Sequence, residues 1–160
     1  MNEEVPFKVP RTKEGTIFEI VTVILILALW AITWYLYRNA PEQVPVRFGL
    51  NLNPDTVGSK NTILLMAALG TIFSVGMLVS AYRPDKSVNL PFEFSLPKQY
   101  VCVVRMVRLL AVEMAFLFIA VVLMMGTSHV GYYPMIFFAV VLLLIIATTI
   151  YYTVKIYKMK

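Results

Sequence analysis

The chain has 160 residues, 59% of them hydrophobic and only 14% charged, and its mean hydropathy is +0.76. An ordinary soluble domain carries about a quarter charged residues, so this composition excludes one and points to a protein embedded in a lipid bilayer. The formal net charge of +5 then reads as an orientation signal and not as a nucleic-acid footprint, and the length leaves no room for a separate soluble enzyme domain of ~100 residues.

Met1 to Gly15 is a polar tail of mixed charge. Thr16, with Glu19 three residues on, has the form of a capping box opening a helix. Residues 17–37 are almost continuously apolar, and about 20 such residues cross a ~30 Å hydrocarbon core. This run is expected to stay as a first span: it is longer than a signal-peptide core and is followed by Trp34, Tyr35 and Tyr37, not by a small-residue cleavage site.

An outer loop occupies 38–60, and a second span follows at 62–82. Its small residues recur every four positions (Ala67 and Thr71, Gly70 and Ser74, Gly76 and Ser80), a spacing that lets helix backbones approach closely in lipid. The stretch 83–99, with Pro84, Pro91 and Pro97, is a loop. A third helix is expected from about Gln99, with its span at 101–125 and Gly126 at its end. The connection 127–131 is short enough to make the fourth span, 132–152, an antiparallel neighbour. The expected architecture is thus a single all-α domain of four transmembrane helices with an ordered outer loop between the first two.

Orientation follows from the basic residues. With the N-terminus inside, eleven of the fourteen lysines and arginines fall on the inner face, and only Arg38, Arg47 and Lys60 fall outside. Such a bias places both termini in the cytoplasm and the 38–60 loop outside. Tyr37, Tyr132 and Tyr133 at one level and Tyr100, Tyr151, Tyr152 and Tyr157 at the other form the aromatic belts such a protein carries.

Few side chains invite a chemical role. Glu113 lies within the third span, where a carboxylate is costly unless paired or functional. Two readings stand for it: a buried group that takes a proton, an ion or a partner, or a side chain that snorkels to the interface or pairs across helices. Arg105 is about 80° from it around the helix and Arg108 about 140°, but Arg105 is ~12 Å away along the axis. Glu19 shares the depth of Arg105 and Arg108, so an ion pair between helices is expected there. His129 stands alone in an outer turn, without the companions a metal ligand needs. Cys102 has no partner for an internal disulfide and, with the nine methionines, reads as packing. No nucleophile with its base, Gly-rich phosphate loop or HExxH occurs, so neither an enzyme nor a cofactor is expected.

The outer loop is braced by Pro41, Pro45 and Pro54 and carries the turn formers Asn53-Pro54-Asp55 and Gly58-Ser59. Phe48, Leu50 and Leu52 alternate as in a short extended piece, and Asp55 is placed to pair with Lys60 or to cap the second helix. Val44-Pro45-Val46-Arg47-Phe48, then Pro54-Asp55 and Gly58-Ser59-Lys60, resemble the signature of the SdpI-like family of small bacterial membrane proteins, also catalogued as a domain of unknown function. That signature runs Pro-x-His-Phe-Asn, then Pro-Asp, then Gly-Ser-Lys, between a first and a second span. Three positions depart: Arg47 replaces the histidine, Gly49 the asparagine and Leu52 a glycine. Arginine is always charged and offers no lone pair, so a metal-binding or titrating role for that histidine does not transfer. Pro45, Phe48, Pro54, Asp55, Gly58, Ser59 and Lys60 remain as a shape suited to recognition.

The resemblance implies a non-enzymatic protein of the bacterial cytoplasmic membrane, of immunity or signalling type, that meets a peptide toxin or a membrane-recruited regulator. A small transporter or channel subunit, using Glu113 with Arg105 or Glu19, is the alternative. Nothing in the sequence selects an oligomeric state.

Overall fold

A computed structural model describes residues 12–48, 54–84, 88, 96–126 and 132–159. It contains four long helices, α1 (Lys13–Asn39), α2 (Asn61–Ser80), α3 (Pro97–Gly126) and α4 (Tyr132–Tyr157), and two short strands, β1 (Gln43–Phe48) and β2 (Pro54–Ser59), between α1 and α2. All four helices are long and apolar enough to cross a membrane. The all-α, four-helix membrane architecture expected from composition is therefore present, with two paired strands between its first two helices.

Helix α1 begins one turn earlier than the capping box at Thr16 suggests. Thr12 is the cap: its backbone is extended, and its Oγ1 accepts from the Gly15 N–H at 3.1 Å. Thr16 lies inside the helix and donates to the Thr12 carbonyl. Thr12 was obscured because the apolar run starts only at Ile17, whereas a helix of 27 residues is ~40 Å long and overshoots the hydrocarbon at both ends. Glu14 in the first turn and Arg38 in the last both suit the helix dipole. Ala40, in an extended conformation, and Pro41 end the helix.

Helix α3 opens with Pro97 at its first position, where a missing N–H costs nothing. Gln99 reaches back to accept from the Leu96 N–H at 3.1 Å, and its amide donates to the Ile156 carbonyl at 3.2 Å. The start of α3 is thereby fastened to the end of α4.

The small residues of α2 are a hint that this helix lies inside the bundle, and it does pack on two others, but the helix with most neighbours is α3. It packs against α1, α2, α4 and β1, while α1 and α2 also touch each other. Buried Ala111, Ala115 and Ala120 keep its sides slim enough for three neighbours. On α2 the inward face is Ile63, Ala67, Gly70 and Ser74. A Cβ on Gly70 would lie 2.6 Å from Phe118 Cβ, whereas Gly76 faces open space. Trp30 Nε1 donates to Thr71 Oγ1 at 3.0 Å and ties α1 to α2.

Two apolar cores result. One, toward the hairpin, gathers Leu29, Leu36, Val44, Ile63, Ala67, Ile119, Val122 and Met125. The other, toward the termini, gathers Ala81, Cys102, Val103, Val104, Met106, Val107 and Ile156. Helix α4 buries little beyond Val141 and Ile156, and its other faces expose a continuous apolar surface that includes Leu143, Leu144 and Ile150. In a bilayer such a surface meets acyl chains.

Candidate functional site

Three places concentrate polar groups: the hairpin, the end of the bundle where α1 starts and α4 finishes, and the segment of α3 between the two cores.

The hairpin is antiparallel, with Val44 opposite Gly58, Pro45 opposite Val57, Arg47 opposite Thr56 and Phe48 opposite Pro54, and with irregular register on either side of Arg47. Val44 inserts into the core beneath and Pro45 is buried. Gly58 is needed for a close approach: a Cβ there would lie 2.7 Å from Val46 Cγ1. Ser59 Oγ accepts from the Asn61 N–H at 3.3 Å, at the start of α2. Asp55 is exposed. Lys60 is paired not with Asp55 but with Glu42, Nζ to Oε1 at 2.6 Å, and its amine also lies 5.4 Å above the Tyr37 ring. Residue 60 closes the hairpin base as well, its N–H donating to the Glu42 carbonyl, and Tyr37 donates to Asn61 Oδ1 at 3.0 Å. The hydrogen bond to Glu42 holds the Lys60 amine above the ordinary lysine range. The hairpin is thus bolted to the facing ends of α1 and α2. The alternation at Leu50 and Leu52, the turn at Asn53 and the departure at Gly49 lie outside the described residues, as does His129.

At the opposite end, Arg105 grips Glu14, with Nε at 3.1 Å and Nη2 at 2.8 Å from the same carboxylate oxygen. The ion pair expected between α1 and α3 therefore uses Glu14. Glu19 instead accepts a hydrogen bond from the Tyr82 hydroxyl. The difference is one of helical phase: Glu14 and Glu19 are about 140° apart on α1, so only one faces Arg105. Arg108 is 3% exposed and sits 5.6 Å from the Tyr82 ring centroid. A Cβ on Gly15 would fall 2.6–2.7 Å from its guanidinium atoms, so the cation lies flat on the first turn of α1. Its Nε and Nη2 have no hydrogen-bond partner among the described residues.

Glu113 is buried at 8% exposure. Thr148 of α4 donates to its Oε1 at 2.6 Å, while Oε2 has no partner among the described residues. The buried Ser74 hydroxyl of α2 is likewise without a partner, and Thr22 of α1 returns its hydroxyl to the Phe18 carbonyl. Sequence reasoning singled out Glu113 but not Thr148, although a hydroxyl pair, Thr148-Thr149, interrupting an apolar run was a visible signal. Glu14, Glu42 and Tyr82 were missed because each sits at an element end, where many partners are within reach. Among the described residues no three His, Cys, Asp or Glu side chains converge as a metal ion requires.

A groove opens beneath the hairpin, with a volume of about 260 Å³, lined by Val46 of β1, Thr62 and Met66 of α2, Val121, Met124 and Met125 of α3 and Phe138 of α4. Its wall is apolar and rich in methionine, a side chain that adapts to varied shapes.

Compared with known families, the chain is similar over residues 24–71 to one described as a domain of unknown function, DUF1648. That segment runs from the middle of α1 through the hairpin into α2. No curated protein and no solved structure matches the chain.

Proposed function

We propose that the chain is a non-enzymatic protein of the bacterial cytoplasmic membrane, with both termini in the cytoplasm, whose hairpin and underlying groove receive an apolar segment of a peptide or envelope partner. The observation that carries this reading is the convergence of β1, α2, α3 and α4 on one methionine-lined groove beneath a hairpin anchored on both sides. The similarity over residues 24–71 falls on this part of the chain, and the resemblance of its loop to the SdpI-like signature supports an immunity or signalling role. Arg47, Phe48 and Pro54 lie on the hairpin strands and, with Pro45, Asp55, Gly58, Ser59 and Lys60, define its shape. The test is a deletion strain challenged with peptide toxins encoded beside the gene. Increased sensitivity, restored by the wild-type gene but not by a groove-filling Met66→Trp version that reaches the membrane, is expected. Unchanged sensitivity to all of them overturns the reading.

A second reading rests on Glu113. A buried carboxylate with one oxygen engaged by Thr148 and the other without a described partner is what a proton- or cation-handling membrane protein presents. Ion flux through reconstituted protein that Glu113→Gln abolishes would favour this transporter or channel role; absence of flux would remove it.

A further inference from the structure

Arg105 and Arg108 are three residues apart on α3, and their guanidinium groups meet different fates. The edge formed by Nε–H and Nη2–H is the side-on fork that matches a carboxylate or phosphate. In Arg105 both atoms of that edge hold Glu14. In Arg108 the same two atoms are buried and have no partner among the described residues. A desolvated cation left this way is unfavourable unless an anion joins it.

We infer that the Arg108 fork, set against the first turn of α1, is a binding site for a phosphate oxyanion supplied by the headgroup of an anionic phospholipid. Four observations support an anion of this kind. The described carboxylates of α1 are already engaged, Glu14 by Arg105 and Glu19 by Tyr82. Gly15, having no Cβ, lets the guanidinium lie directly on the helix start, where the helix dipole favours negative charge. Lys13, Arg83, Lys98, Lys155 and Lys158 belong to this same end of the chain fold, so its field is strongly basic. Tyr100, Tyr151, Tyr152 and Tyr157 mark headgroup depth, where lipid phosphates are concentrated. The Tyr82 ring under the cation and its hydroxyl on Glu19 fix the fork's direction. The inference is independent of any peptide partner at the hairpin.

The experiment uses the full chain, purified in detergent and stripped of lipid, with thermal unfolding and native mass spectrometry as readouts. The probes are phosphatidylglycerol, phosphatidylcholine and inorganic phosphate. Phosphatidylglycerol is expected to raise the melting temperature and to remain bound at one copy, well beyond phosphatidylcholine. Arg108→Gln and Arg108→Lys are expected to weaken that binding about tenfold, the lysine variant because it keeps the charge but loses the fork. Arg105→Gln, whose fork serves Glu14, should retain the lipid. Stabilisation by inorganic phosphate with the same dependence on Arg108 supports the oxyanion site and assigns its source to soluble phosphate. If wild-type protein fails to distinguish phosphatidylglycerol from phosphatidylcholine and ignores phosphate, the inference is overturned, and this comparison needs no variant to fold. It is also overturned if Arg108→Lys binds the lipid as wild type does.

Discussion

Glu113 and Thr148 make the hydrogen bond that joins α3 to α4 between the two apolar cores. Hydrogen bonds between transmembrane helices average about 0.6 kcal/mol and reach ~1.7 kcal/mol, and a carboxylate acceptor places this one toward the upper end. Thr148→Val is therefore expected to destabilise the protein by about 1 kcal/mol in reversible detergent unfolding. In a Glu113→Leu background the same change should cost almost nothing; equal costs in both backgrounds would show that the hydroxyl acts by packing alone. Glycine substitutions on α2 should separate just as clearly. Gly70→Ala drives a methyl into the base of the Phe118 side chain, whose ring is stacked on Phe73 and has little room to yield, so overpacking of about 1–3 kcal/mol is expected. Gly76→Ala meets nothing and should leave unfolding unchanged or slightly later. In the sequence these two glycines look equivalent, each with a serine four residues on. Spacing shows which residues share a face, but not whether the face meets a helix or lipid, because both are apolar. Glu113 was conspicuous for the opposite reason: a charge in an apolar run needs no partner to be noticed.

Among the elements, the helices were legible because each must satisfy its own backbone in lipid and so needs a long uninterrupted apolar run. The hairpin was legible only as an ordered, proline-braced loop. Its pairing depends on Glu42, Tyr37 and Asn61, ordinary polar residues whose meeting is decided by how α1 and α2 lean together. The Lys60–Glu42 pair carries a defined pH dependence. Because the Lys60 amine is raised above its ordinary value of 10.5, its contribution is complete below that value and is lost as pH climbs through the higher folded value. The stability difference between wild type and Lys60→Met should thus be flat from neutral pH upward and should close only above about pH 10. Following the unfolding midpoints of the two proteins across that range checks it; a difference that closes near neutrality would mean that another group governs the hairpin base. The half-exposed Glu14–Arg105 pair at the other end is also open to solvent, so Glu14→Gln should cost no more than ~1 kcal/mol and less at high salt.

At the scale of the molecule, four antiparallel crossings return the chain to the side from which it starts, and contacts between distant segments agree: Glu19 meets Tyr82 and Gln99 meets Ile156. The start of α1 and the end of α4 therefore share one end of the bundle, and the hairpin stands at the other. The proposal that the first of these ends faces the cytoplasm rests on charge. Among the described residues, the end where α1 starts and α4 finishes holds Lys13, Arg83, Lys98, Arg105, Arg108, Lys155 and Lys158, and the proposed topology keeps these inside and has the hairpin project outward. Cys102, the one cysteine of the chain, is buried and is replaced by serine to give a background without thiols. In that background, Asp55→Cys on exposed β2 should react with a membrane-impermeant maleimide in intact cells, whereas Lys158→Cys should react only after the membrane is opened. The reverse pattern would invert the molecule, put the groove beneath the hairpin on the cytoplasmic side, and end the case for an extracellular peptide as its ligand. Labelling of both positions in intact cells would instead indicate a mixed topology, in which Arg38, Arg47 and Lys60 on the hairpin side suffice to compete with the basic residues of the opposite end.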